Sequence, residues 1–228
     1  MAQGHRDHMR KIIRDNGLLL VNLALFVVFL VAMSLAGVRE YNSDQLEHQQ
    51  AAVSLWQYLS TGAFVEAVFE NWESEFLQMG MYVVLTAYLF QRGSSESKPI
   101  DGHAPQDEDP RDADLRRPVP WPVRKGGLTL KLYENSLAIF FFVLFFLSIW
   151  AHAMGGARDY SEEQLTHGES AVTTWQYVQT SRFWFESFQN WQSEFLAVAC
   201  IVGASVYLRQ RGSAESKPVA EPHRATGA

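Results

Sequence analysis

The sequence predicts an all-α integral membrane protein. It has four transmembrane helices in two tandem pseudo-symmetric repeats, each with an outer amphipathic helical segment. Three observations lead there. Long apolar runs lie at Leu18 to Ala36 and Ser136 to Met154. The string Asn71-Trp72-Glu73-Ser74-Glu75-Phe76-Leu77 returns as Asn190-Trp191-Gln192-Ser193-Glu194-Phe195-Leu196, and Gln91-Arg92-Gly93-Ser94 returns as Gln210-Arg211-Gly212-Ser213. Lys and Arg, finally, are concentrated outside the segments that join paired apolar runs.

The first fifteen residues carry His5, Arg6, His8, Arg10, Lys11 and Arg14, a basic flank. Leu18 to Ala36 follows, interrupted only by Asn22 and Ser34. About 19 residues at 1.5 Å each give about 28 Å, enough for a bilayer core of about 30 Å. Ser34-Leu35-Ala36 resembles a signal-peptidase site, but the apolar run exceeds the usual signal length and recurs in mid-chain, so a retained helix is expected. Beyond Gly37 the chain turns polar. Asn42 with Gln45, and Ser161 with Gln164, read as capping boxes for short surface helices that run through Trp56-Gln57-Tyr58 and its counterpart. Thr61 is an N-cap for the next helix. In that helix Phe64, Val65, Val68, Phe69, Trp72 and Phe76 share one face, with Glu66, Glu70 and Glu73 on another. From Phe76 to Phe90 the pattern becomes apolar all round, and Gln91-Arg92-Gly93 closes it with a cation and a glycine.

The second copy aligns with the first at a fixed offset of 119 (Asn135 on Asn16, through Pro218 on Pro99), with about 36 identities in about 84 pairs. The expected organisation is a flank at 1–15, a first repeat at 16–93, a flexible linker at 94–130, a second repeat at 131–212 and a tail at 213–228. The spans are placed at about 18–36, 76–91, 136–154 and 195–209, with outer segments at 37–75 and 155–194. The linker is rich in Pro, Asp, Arg and Gly.

Of 19 basic residues only Arg39, Arg158 and Arg182 fall in the outer segments. By the positive-inside rule both termini and the linker are cytoplasmic, and the two copies share one orientation. A net charge of −6 and pI near 5.6 argue against nucleic acid as a partner. The lipid bilayer is the expected partner, together with a second copy of the chain or another membrane protein. The lone Cys200 rules out an intrachain disulfide.

The strings Tyr160-Ser161-Glu162-Glu163-Gln164-Leu165-Thr166-His167-Gly168, Asn190 to Leu196 and Gln210 to Lys217 resemble an uncharacterised family of bacterial integral membrane proteins, a domain of unknown function. The resemblance implies a bacterial inner-membrane location. It brings no catalytic or binding residues, and the first copy departs from it with Gln49-Gln50 where the second has Gly168-Glu169.

His48 and His167 occupy equivalent positions, as do Glu75 and Glu194. Brought together by pseudo-symmetry, two imidazoles and two carboxylates would suit a divalent metal. The alternative is that each His bonds its own helix and each Glu sits among headgroups. Trp56, Trp72, Trp175, Trp191, Tyr58 and Tyr177 read as interfacial aromatic anchors. No P-loop, dinucleotide fingerprint or G-x-S-x-G elbow occurs, so no catalytic residue is assigned and no cofactor is expected. The preferred function is a structural or interaction role with outer helices on lipid or a partner. A small ion or solute transporter or channel between the repeats comes second, and a membrane metalloenzyme third.

Overall fold

Helix α1 (Ala2–Glu47) and helix α6 (Ser136–Thr166) dominate the molecule. A computed structural model describes residues 2–227, with the side chains of residue 8 and of residues 11–227; the side chains of His5, Arg6 and Arg10 in the basic flank lie outside that description. The described chain is all-α, 69% helical and without strands. Two of its helices, Lys11–Glu47 and Ser136–Thr166, are long and apolar enough to cross a membrane. Their apolar side chains stand bare, from Leu18 to Phe29 on α1 and at Phe140, Val143, Phe146, Leu147 and Trp150 on α6. The chain divides into two units, one ending at Val65 and one beginning at Glu66.

The first unit holds α1, the short helix α2 (Leu55–Tyr58) and the opening residues of α3 (Gly62–Tyr88). Asn16 leaves the helical region (φ −127°, ψ 15°), and its side-chain amide donates to the Ile12 carbonyl at 3.1 Å. A side chain that bonds back one turn competes with the helix ladder and kinks it there. Beyond Ala36 the helix does not stop. It runs eleven further residues to Glu47, so the expected capping box at Asn42 and Gln45 does not form. Asn42 acts instead as a clamp. Its side chain accepts from the Val53 N–H at 2.7 Å and donates to the Val53 carbonyl at 2.9 Å, fixing the returning strand of chain. The capping box forms at Ser54 and Gln57. Tyr58 then lies inside, 5% exposed, stacked near Tyr41 and Phe64 and directly over Gly37.

The second unit holds the rest of α3, short 3₁₀ turns at Pro105–Asp107 and Pro110–Asp112, helices α4 (Trp121–Lys125) and α5 (Gly127–Glu134), then α6, α7 (Thr174–Val178) and α8 (Ser181–Tyr207). Asn135 (φ −109°, ψ 7°) separates α5 from α6, with its amide donating to the Lys131 carbonyl at 2.8 Å. Here too α6 runs past Met154 to Thr166, and the expected box at Ser161 and Gln164 is absent. The Ser161 hydroxyl accepts from the Val172 N–H at 3.0 Å and the box falls at Thr173 and Gln176. The reason is the same in both places. Neither Gly37 nor Gly156 supplies a stop, because each continues the helix and exists to let a tyrosine ring approach its backbone. Tyr177, Phe183, Ala153 and Ala157 form the buried core, with Ile149, Tyr160, Val172 and Val178 around it. Both α3 and α8 end before the glycines at 93 and 212, which turn the chain at φ +85° instead of capping the helices.

Candidate functional site

Glu66, Glu70 and Glu73 are spaced by four and three residues, which puts them on one face of α3. That face turns inward: Glu66 is 7% exposed and Glu73 0%. The acidic face that the amphipathic pattern set apart from the apolar one is therefore enclosed, with Glu70 half-buried between the two. Opposite them α6 contributes His152, fully buried, and α8 contributes Arg182, Glu186 and Trp191. Tyr177 of α7 closes the group.

His152 is held from both sides. Its Nδ1 lies 3.1 Å from Glu73 Oε2 and its Nε2 lies 3.4 Å from Glu186 Oε2. Trp191 Nε1 donates to the other Glu73 oxygen at 3.2 Å. The Tyr177 hydroxyl reaches two carboxylates, Glu66 Oε1 at 2.8 Å and Glu186 Oε2. Arg182 donates from Nε to Glu186 Oε1 at 2.9 Å and from a terminal nitrogen to Asp159 Oδ2 at 3.1 Å, and it pairs with Glu163. The ring of Phe183 lies against the imidazole, 4.9 Å between centroids. Polar side chains thus join α3, α6 and α8 beside the apolar core.

The electrostatics follow from burial and from uneven charge. Burial pushes the Glu66 carboxyl up to about 8, reinforced by the negative charge of Asp159 and opposed by the Tyr177 hydrogen bond. Glu70 moves up to about 6, again through burial, with the His152 charge opposing it. Burial also works against the charged form of Glu186, but hydrogen bonds from His152, Tyr177 and Arg182 outweigh it and hold this group at about 2. Burial drives the Tyr177 phenol up, with its two carboxylate partners adding to the effect. The result is one carboxylate locked in its ionised form beside another that retains its proton at neutral pH. Among the described residues, the group of three or more metal-type ligands is Glu66, His152 and Glu186, whose ligand atoms all lie within 4.8 Å of one another.

The model of a family described as Domain of unknown function (DUF6766) matches residues 9–228. The chain belongs to that family. No curated protein and no solved structure matches it. What a DUF6766 chain does must therefore be read from its own side chains, and the polar cluster is where they converge.

The residues singled out by the repeat are placed elsewhere. His48 turns back on its own helix, Nδ1 lying 3.0 Å from the Asp44 carbonyl, and His167 does the same 2.9 Å from the Glu163 carbonyl. Glu75 is exposed, while Glu194 is half-buried and feels the Glu75 charge. None of these four belongs to the group of ligand atoms above. Of the aromatic residues, Trp56 and Trp175 are 80% and 72% exposed. Trp72 is half-buried against Phe69 and Phe76, and Trp191 is committed to Glu73. Tyr58 and Tyr177 are buried rather than displayed at a surface.

Pairs of equivalent residues do not reveal the cluster, because its members are not equivalent. At the offset of 119, Glu66 pairs with Phe185, His152 with Met33 and Glu186 with Ala67. A usable signal was nonetheless present. His152 sits in an otherwise apolar run, and three glutamates occur on one helix face at the point where the other copy has Phe185, Gln189 and Gln192.

Proposed function

We propose that the protein is a multi-pass protein of the bacterial cytoplasmic membrane and that its second unit binds a cation in the cluster around His152. The observation that carries this reading is an excess of enclosed carboxyl groups, two buried and three half-buried, over basic side chains. Glu66, Glu70, Glu73, Asp159 and Glu186 gather around two basic side chains, His152 and Arg182. Buried carboxylates need protons, cationic partners or a metal ion, since desolvating an uncompensated one costs many kcal/mol.

Two helices long and apolar enough to cross a membrane support the membrane part, and the proposed arrangement adds α3 and α8 as two further spans, with both pairs in one orientation. Clamp, capping box and tyrosine-over-glycine recur at the 119-residue offset: Asn42 and Ser161, Ser54 and Thr173, Tyr58 on Gly37 and Tyr177 on Gly156. The bare apolar stretches of α1 and α6 match a lipid environment. On this reading α3 and α8 enter the bilayer near Phe76 and Phe195, and the cluster lies just outside the apolar layer on the face away from the basic termini. The exposed Trp56 and Trp175 then rest among headgroups.

The test is thermal unfolding of the purified full-length protein in detergent, after chelation, against a panel of monovalent, alkaline-earth and first-row transition cations. At least one cation should raise the midpoint of the wild type by several degrees and leave Glu186→Gln unmoved. If none of them shifts the wild type at millimolar concentration, the cation-binding reading fails.

A further inference from the structure

Resting on the cation-binding reading, we propose that the bound ion is a single divalent first-row transition metal, ligated by Glu66, His152 Nε2 and Glu186. Each ligand arrives from a different helix, α3, α6 and α8, and each is anchored by side chains other than its fellow ligands. Their atoms already lie within 4.8 Å. Tetrahedral ligands about 2.0–2.2 Å from a common ion are about 3.3–3.6 Å apart; His152 Nε2 and Glu186 Oε2 already stand at 3.4 Å, and the widest pair needs an approach of at most about 1.5 Å, within the reach of side-chain rotation.

Two further features distinguish this group from a simple pool of acidic residues. The first is the imidazole itself, fully buried, with Nε2 3.4 Å from Glu186 Oε2. Glu73 at Nδ1 and Glu186 at Nε2 both accept from the imidazole when ionised; an ion bound at Nε2 replaces the proton there, while Nδ1 keeps its hydrogen bond to Glu73. Trp191 in turn donates to Glu73 and fixes its orientation. A carboxylate behind a ligating imidazole, itself hydrogen-bonded, is the outer arrangement that metal-binding histidines use. The second is Tyr177, which touches both Glu66 and Glu186 and holds them toward one point.

The donor set narrows the ion. Two carboxylates and one imidazole suit zinc, manganese or iron, whereas magnesium and calcium prefer oxygen donors throughout. The asymmetry of the copies also sets the stoichiometry. Because Phe185, Met33 and Ala67 stand at the positions matching the three ligands, a chain has one such site and not two.

The experiment uses the full chain in detergent, stripped with chelator. It is then dialysed separately against Mn²⁺, Zn²⁺ and, anaerobically, Fe²⁺, with Ca²⁺ as the contrasting ion, and bound metal is counted by inductively coupled plasma mass spectrometry. About one equivalent of at least one transition ion per chain should remain. Glu186→Gln and His152→Gln should lower its affinity at least tenfold. Glu73→Gln should lower it by roughly 10–100-fold through the imidazole it orients, and His167→Gln should leave it unchanged. Should the ligand variants fail to fold, Co²⁺ titration of the wild type gives a second readout: saturable absorption at one equivalent, competed by the retained ion. Stabilisation by Ca²⁺ or monovalent cations alone would overturn the transition-metal assignment and leave the cation-binding reading standing. Absence of binding by every ion would overturn both, and two equivalents per chain, or equal loss in His167→Gln, would refute the ligand assignment.

Discussion

Substituting Gly156 by alanine isolates the contact on which the cluster depends. A Cβ built on Gly156 lies 2.4 Å from Tyr177 Cε1 and 2.5 Å from both Cζ and the hydroxyl oxygen. These atoms are the rigid end of a side chain with no exposed surface, so the ring must move bodily or the two segments must part. In the middle of a helix Gly→Ala should otherwise stabilise by about 0.5–1 kcal/mol. Overpacking costs about 1–3 kcal/mol. A displaced hydroxyl also deprives Glu66 and Glu186 of a buried partner that donates to one and can accept from the other, adding about 1–3 kcal/mol. Overpacking and lost hydrogen bonding therefore win, with a net destabilisation of about 2–4 kcal/mol. Intrinsic-fluorescence thermal unfolding in detergent reads it as a fall of roughly 2–4 °C per kcal/mol. Combining Gly156→Ala with Tyr177→Ala should remove most of the added cost, giving a coupling of about 1–3 kcal/mol between the two positions. In the first unit the close contact is chiefly with the Tyr58 hydroxyl, at 2.2 Å, and the next atom is 2.9 Å away. Tyr58→Phe should therefore relieve Gly37→Ala more fully than Tyr177→Phe relieves Gly156→Ala. A Gly156→Ala protein as stable as wild type would refute the reasoning.

Two other outcomes follow. Glu66 and Glu70 hold protons in the folded protein that the unfolded chain releases above the ordinary carboxyl value of 4.5. In chelator, stability should thus fall as pH rises from about 5 to about 8, with a slope of at most about 1.4 kcal/mol per pH unit per proton. Glu186, held at about 2, acts in the opposite sense, and its contribution is lost only as pH falls below 4.5. Midpoints measured at pH 5.5 and 8 should show the decline, Glu66→Gln should flatten it, and a rise in the wild type would contradict it. For orientation, cysteines placed at Asp107 and Glu221 in a Cys200→Ser background should resist an impermeant maleimide in intact cells, whereas one at Glu169 should react; the reverse pattern inverts the proposed topology.

Periodicity made the long helices legible, because Leu18 to Ala36 and Ser136 to Met154 contain almost nothing that could face water. It could not show where those helices end. Asn42 and Ser161 carry the right residue types for caps, yet their partners are Val53 and Val172, eleven residues ahead, and local propensity has no access to a contact of that range. The inward turn of Glu66 and Glu73 was hidden for a related reason. An amphipathic pattern separates two faces without saying which one is buried, and the usual assignment of charge to solvent fails where a buried imidazole, phenol and indole are waiting. His152 could have corrected it, since a histidine in an apolar helix needs partners for two nitrogens.

The cluster's residues have no counterparts of like chemistry at the 119-residue offset. Gly37 and Gly156, and the tyrosines above them, do match at that offset, and neither glycine leaves room for a Cβ. The cluster positions do not match: Glu66, Glu73 and His152 stand against Phe185, Gln192 and Met33, and Glu186 against Ala67. Any one of these carboxylates introduced alone would be a buried charge without a partner. Their value depends on the others being present. Glu186→Gln in a Glu66→Gln background should therefore cost far less stability than the sum of the single changes, and strict additivity would mean that the four side chains do not act as one unit.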